Sequence, residues 1–285
     1  MSLIEACSKL AAYLVCVGLA LEFSHRLYWQ LNKQVSSLEI STFSRSVLST
    51  AVACIPLSAA VTITAGFVRY VDKRSISTLG LSYNGDSLTG VAYGAAIALG
   101  CVTVVFLAGV LMGFIEVRRS KMAEDCMSCL PMFLGGLIDF FTAAVFEEII
   151  FRGYVFFLLY EAAGAQVAIV VSSVVFAVAH MVKHPSTPIL YALNAFIFGA
   201  LVAICRHFTG TLWLPIGLHF GWNVVSGPIF GLPYSGKPYD RGVVVSDVSG
   251  PQWLTGGRYS LDAGVLGTLA LMIAAVGLIA VTPMR

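Results

Sequence analysis

Long apolar runs recur along the chain, separated by short polar stretches: Leu10–Phe23, which carries Glu22 at its end, and the charge-free Val47–Val68, Leu88–Ile115, Gln166–Val182, Ile189–Ile204, Thr211–Leu232 and Ala263–Val281. An eighth run, Pro131–Glu161, is similar in length but carries charges inside it. A bilayer core takes about 20 apolar residues as helix. Within it every backbone amide must be satisfied internally, so spanning segments are helices or closed barrels. These runs lack the period-two alternation of a barrel strand. The pattern predicts an all-α fold: a polytopic transmembrane helical bundle of about eight helices, forming one integral membrane domain over residues 1–285. Pro56 should kink the second span. The third is long enough to need tilt. Two connections are long. Ser24–Arg45 precedes the second helix, and Gly231–Ser260 precedes the last and is rich in Gly, Pro and Tyr. At its end Ser260 is placed to cap the final helix, with Asp262 in the first turn, where the dipole favours a carboxylate.

Composition narrows the class further. The 285 residues are 58% hydrophobic and 11% charged, with mean hydropathy +0.86. A soluble domain carries about 25% charged residues. A cytosolic globular enzyme, a disordered chain and a nucleic-acid binder are excluded, and the net charge of +2 calls for no polyanionic partner. The bilayer is the expected surrounding. The start reads as a retained first span, because Glu5 precedes Lys9 and the following run leads to Glu22. Ten Lys and Arg flank the odd-numbered ends of the helices and six the even-numbered ends. The positive-inside rule then puts both termini outside. Seven cysteines, an odd number mostly within apolar runs, argue against a disulfide framework. Cys126 and Cys129 form one CxxC in a polar loop, with no second pair to complete a zinc site.

The chemistry lies in polar groups that a membrane makes costly. The fourth run reads Asp139-Phe-Phe-Thr-Ala-Ala-Val-Phe-Glu147-Glu148-Ile-Ile-Phe-Arg152-Gly153. One charge at a helix centre costs roughly 2.5–3.5 kcal/mol on insertion scales. Glu148 and Arg152 are i,i+4 with Glu first, the favourable order for an ion pair. Glu147 lies about 100° round the helix from Glu148 and so faces something polar on another helix. The fifth run offers His180, four residues after Phe176. The seventh offers His219 and Asn223, also i,i+4 and therefore on one face. Three helices thus present polar groups at a similar late depth, and their convergence on one cavity would mark a functional site.

Two mechanisms fit that set. A carboxylate such as Glu147 can take a proton from water while an imidazole relays or orients, and a second imidazole with an amide can stabilise an oxyanion. Equally, Glu147, His180 and His219 make a His₂Glu set for Zn²⁺ with a fourth position open to water. The soluble HExxH pattern is absent, so such a metal site would be assembled across helices.

Glu147-Glu148-x-x-x-Arg152, Phe176-x-x-x-His180 and His219-x-x-x-Asn223 resemble the three motifs of the CPBP intramembrane proteases. That group holds the type II CAAX prenyl endopeptidases (Rce1-like proteins) and the Abi bacteriocin-processing or self-immunity proteins. Phe151-Arg-Gly153, Thr209-Gly-Thr-Leu-Trp213, Gly217-Leu-His219 and Gly256-Gly257 fit as well. The resemblance covers Leu137 to Asn223, within a core of residues 131–230, and the first 130 residues carry none of it. It implies an eight-helix membrane fold with the site inside the bundle. By position, Glu147 would activate water, His180 would assist, His219 and Asn223 would form the oxyanion hole, and Glu148 with Arg152 would be the supporting pair. It implies a membrane endopeptidase acting on a peptide or lipidated protein, at a CAAX-type C-terminus or a leader junction. It leaves open whether a metal takes part; catalysis without a tightly held zinc is the expectation.

Two other functions use the same residues. A non-enzymatic scaffold or bacteriocin self-immunity protein could bind a partner through the polar cavity. A proton-coupled transporter could relay protons through carboxylate and imidazoles, but repeated halves or paired broken helices are not evident. Among the remaining polar residues, Asp139 is a candidate for the cavity entrance and Asn194 for helix glue. His184 and His207 fall at helix ends, and His25 falls in a loop.

Overall fold

The structure is a computed structural model that describes residues 1–83, 85–183, 188–234 and 236–281. Eight long helices lie among the described residues: α1 Leu3–Ser37, α2 Thr42–Gly66, α3 Ser87–Leu111, α4 Cys126–Glu148, α5 Phe156–Lys183, α6 Ile189–Thr209, α7 Trp213–Val224 and α8 Val265–Val281. Three of them run on into wider π turns, Phe67–Val71 after α2, Ile149–Val155 after α4 and Val225–Ile229 after α7. Five stretches are long and apolar enough to cross a bilayer: Leu3–Ser37, Phe43–Val71, Ser87–Leu111, Cys129–Val182 and Ile189–Thr209. The outer surface carries fully apolar side chains, with Leu111 86%, Phe23 71% and Val276 70% exposed. Contiguous exposed apolar surface of this kind suits lipid and not water. The chain is an integral, multi-pass membrane protein of all-α class.

Several boundaries differ from those the hydropathy pattern predicts. The expected loop Ser24–Arg45 is helical as far as Ser37, so His25 belongs to α1. Helix propensity does not end where the apolar run ends, and the Arg26 guanidinium donates to Glu22 at 2.9 Å as an i,i+4 pair. Cys126 and Cys129 lie in α4 instead of a loop. The third span stops at Leu111. Beyond it, β1 (Ile115–Arg119) pairs antiparallel with β2 (Val244–Val248), in register Ile115 with Val248 and Arg119 with Val244. The long connection before α8 is therefore tied to the end of α3. Ser260 makes no side-chain cap; it precedes a short turn, Leu261–Ala263, which carries Asp262 inward ahead of α8. His184 lies outside the described residues.

Two packing features place the site. The fourth and fifth predicted runs form a helical hairpin. Its bend is Gly164, at φ 82° and ψ −179°, which interrupts α5 between arms 156–163 and 165–183. This region of backbone space is essentially restricted to glycine. Contacts mirror one another about the bend: Glu147 faces His180, and Arg152 faces Phe176. Separately, α7 docks on α3 through small residues. A Cβ on Gly217 would overlap the backbone of Val91, and one on Gly221 would stand 2.7 Å from Ala95 Cα. Close approach of backbones at small residues is how helices associate without a hydrophobic gradient in lipid.

The first two helices brace the π turn that follows the glutamates. Lys9 Nζ pairs with Asp72 Oδ1 at 3.0 Å, and the Tyr154 hydroxyl donates to Asp72 Oδ2 at 2.8 Å. Tyr13 packs on Tyr154 with ring centroids 4.2 Å apart and shares a 2.8 Å hydrogen bond with Thr64. The N-terminal region thus contacts the segment Ile149–Val155, which is buried throughout.

Candidate active site

Glu147 and Glu148 are the last residues of α4, and the π turn begins at the next position. A π turn shifts the following side chains round the axis relative to an α-helix, and such turns concentrate at functional sites. Arg152 and Glu148 are both completely buried, with Arg152 Nη1 3.3 Å from Glu148 Oε1. The face of Phe176 covers the guanidinium, Cζ lying 4.2 Å from the ring centroid. This cation–π contact supplies part of what water would otherwise provide. It also gives the Phe of the second motif a physical role: the same ring packs at a tilt against His180, with centroids 4.2 Å apart.

The two imidazoles are held by their Nδ1 atoms. His180 Nδ1 lies 2.9 Å from the backbone carbonyl of Phe176. A carbonyl only accepts, so Nδ1 carries the proton and Nε2 turns toward Glu147 at 3.6 Å from Oε2. His219 Nδ1 lies 2.8 Å from Glu148 Oε1, a carboxylate acceptor, and its Nε2 lies 3.8 Å from the same Glu147 oxygen. Both rings thereby present Nε2 to one carboxylate oxygen. Phe198 packs edge-on against His219 at 5.1 Å and helps fix the ring.

Glu148 and Arg152 are therefore more than a pair that seats Glu147. A single Glu148 oxygen receives both the guanidinium and the His219 ring, which makes the pair an orienting group for the imidazole. Gly199 of α6 leaves the space the guanidinium needs, since a Cβ there would lie 3.0 Å from Arg152 Nη2.

These groups line a cavity of ≈ 70 Å³ inside the bundle. A water needs about 10–15 Å³ measured this way, so the cavity holds a few waters. Glu147, Phe176, His180, His219 and Asn223 all border it. The structure thus brings together on one cavity the groups expected from α4, α5 and α7. Asp139 does not border it. The lining also includes Tyr191, Tyr234 and Asp262, which sequence reasoning did not single out. Tyr234 lies in an irregular connection, and Asp262 reads in the sequence as an ordinary first-turn carboxylate. Asn194 borders the cavity while acting as glue. Its amide donates to the carbonyls of Asp262 at 2.7 Å and Gly264 at 3.1 Å, and its oxygen accepts from Thr268 at 2.8 Å.

The donor set of Glu147, His180 and His219 has the chemistry of a zinc site. Among the described residues, however, no three His, Cys, Asp or Glu side chains close into a metal-ligand group. The two imidazole Nε2 atoms lie 3.6 and 3.8 Å from one Glu147 oxygen, and all three residues border the cavity.

Fold and site define a polytopic helical membrane protein with a carboxylate and two imidazoles around an internal polar cavity. Residues 130–225 match the family model described as type II CAAX prenyl endopeptidase Rce1-like, which supports a protease of the CPBP family. The resemblance carried by the three motifs is borne out over that segment, and at family level the match supports a CAAX-type intramembrane endopeptidase. No curated protein and no solved structure matches the chain significantly.

Proposed function

We propose that the protein is an intramembrane endopeptidase that hydrolyses a peptide bond of a membrane-associated substrate by glutamate-activated water. The substrate class is a lipidated C-terminus of the CAAX type or a leader-type junction. The observation that carries this reading is the convergence of two imidazole Nε2 atoms, at 3.6 and 3.8 Å, on one oxygen of Glu147.

A water between these three atoms lies within hydrogen-bond reach of all of them. Glu147 accepts its proton as the oxygen attacks the substrate carbonyl carbon. His180, with Nδ1–H fixed on the Phe176 carbonyl, accepts a second hydrogen bond from the water and so sets its lone pair toward the carbonyl. His219, held at Nδ1 by the Glu148 carboxylate, turns Nε2 to the oxyanion as a donor. The side-chain amide of Asn223, one turn along α7, supplies a second donor. The cavity is small and set inside the bundle, which strengthens each of these interactions relative to bulk water.

The test is cleavage by the purified full-length protein in detergent. The probes are farnesylated C-terminal peptides and apolar leader-type peptides carrying a quenched fluorophore. Wild-type protein cleaves at least one class. Glu147→Ala and His219→Ala abolish cleavage with helicity and elution volume retained. Full activity in Glu147→Gln would remove Glu147 as the base.

A further inference from the structure

Asp262 is a carboxyl group that water activation leaves unused. It lies in the turn before α8 and borders the same cavity as Glu147, His180 and His219. Its position is fixed from two sides. Trp222 Nε1–H donates to Asp262 Oδ1 at 2.7 Å, and Asn194 Nδ2–H donates to its backbone carbonyl at 2.7 Å. Among the described residues bordering the cavity there is no Lys or Arg. The groups that face this space are Glu147 from α4, His180 from the second arm of α5, Tyr191 from α6, His219 from α7 and Tyr234 from the connection beyond it.

An ionised carboxylate taken out of water without a close cationic partner costs several kcal/mol, and such a group responds by holding its proton. Burial accordingly pushes the Asp262 carboxyl above the usual carboxylate range. Its surroundings differ from those of Glu147. Glu147 has both imidazoles within 4 Å, whereas Asp262 accepts from an indole N–H and feels the same imidazoles only from beyond ion-pair distance. Two carboxyl groups in one site with unlike surroundings divide into a base and an acid.

The geometry points to Asp262 as the acid that protonates the departing amine. The inference rests on the endopeptidase reading above. When the tetrahedral intermediate collapses, the C–N electron pair passes to nitrogen. The nitrogen takes the Asp262 proton, leaving a carboxylate. The proton that Glu147 took from water returns to Asp262 through the cavity water. The balance is one water and one amide consumed, and one carboxylic acid and one amine released.

A general acid matters only when the leaving group needs a proton. The experiment uses full-length protein in detergent with one farnesylated peptide in two forms: the natural amide, and a thioester at the scissile position, whose thiolate leaves unprotonated. Asp262→Asn is expected to slow amide cleavage about 100-fold or more, the usual worth of a positioned acid, and thioester cleavage less than about fivefold. Asp262→Glu restores part of the amide rate. Trp222→Phe, which keeps the carboxyl and removes the indole donor that fixes it, lowers the amide rate more than the thioester rate. Equal loss on amide and thioester in Asp262→Asn, or no loss on either, overturns the inference while leaving the protease reading intact. Failure of the wild-type protein to cleave either form overturns the protease reading and this inference with it.

Discussion

Glu148 Oε1 lies 2.8 Å from His219 Nδ1 and 3.3 Å from Arg152 Nη1, so one oxygen joins α4 to α7 and receives a buried guanidinium as well. Removing the charge while keeping the shape tests what that contact does. Glu148→Gln leaves the buried guanidinium without its counter-charge, so it is expected to cost stability and, in the protein that still folds, to lower kcat by roughly 100-fold or more, as when an orienting carboxylate is replaced by its amide. Steady-state kinetics on the cleaved peptide, with KM changing little, is the measurement.

Arg152 is the other half of the same buried pair. Taking away one partner of a completely buried pair leaves the other charge uncompensated, at a cost of about 3–5 kcal/mol. Arg152→Ala is therefore expected to unfold or aggregate in detergent, whereas the double change Glu148→Gln with Arg152→Met regains much of the lost thermal stability. Melting curves of the three proteins decide this. A stable single variant would show that the pair is dispensable.

Gly199 has no catalytic atom, yet its α-hydrogen faces the guanidinium. A methyl there would stand 3.0 Å from Arg152 Nη2 and 3.2 Å from Ser173 Cα. Gly199→Ala should cost about 1–3 kcal/mol of stability by overpacking and reduce cleavage through displacement of Arg152. Smaller effects at Gly100, where nothing lies within 4 Å of an added Cβ, provide the control.

The α3–α7 contact is tested at Gly221. A Cβ there would lie 2.7 Å from Ala95 Cα and 2.9 Å from Ala98 Cβ. Gly221→Leu should separate the helices, displace the His219 face and abolish cleavage. Gly221→Ala combined with Ala98→Gly should recover part of it.

The last test concerns metal. A strong zinc chelator is expected to leave peptide cleavage intact, and elemental analysis of active protein to give much less than one zinc per chain. Loss of activity with chelator, restored by zinc alone, would move Glu147, His180 and His219 from water-holding to metal-holding roles.

The polar residues in apolar runs were legible before any coordinates, because a charge within a span is costly enough to carry meaning by itself. Glu147, His180 and His219 follow from that argument and the three motifs, and the structure draws them together. The Glu148–His219 bond was not legible, since spacing speaks of residues within one helix and not of facing on another. The π turns at Ile149–Val155 and Val225–Ile229 have no compositional mark. The length of α1 escaped for a related reason: hydropathy reports where lipid ends, whereas Arg26 and Lys33 continue as helix in polar surroundings. Asp262 escaped because a carboxylate at the start of a helix already has an ordinary explanation in the dipole.

The single bend at Gly164 has a mechanical consequence. Glu147 and His180 lie on opposite sides of the bend, each about 25 Å from it at 1.5 Å per residue. A change of five degrees in the angle at the bend shifts one relative to the other by roughly 2 Å, more than the tolerance of a proton transfer. A bulkier residue at position 164, far from any reacting atom, would therefore act as a crowbar on the chemistry, prising the base from its imidazole without touching either.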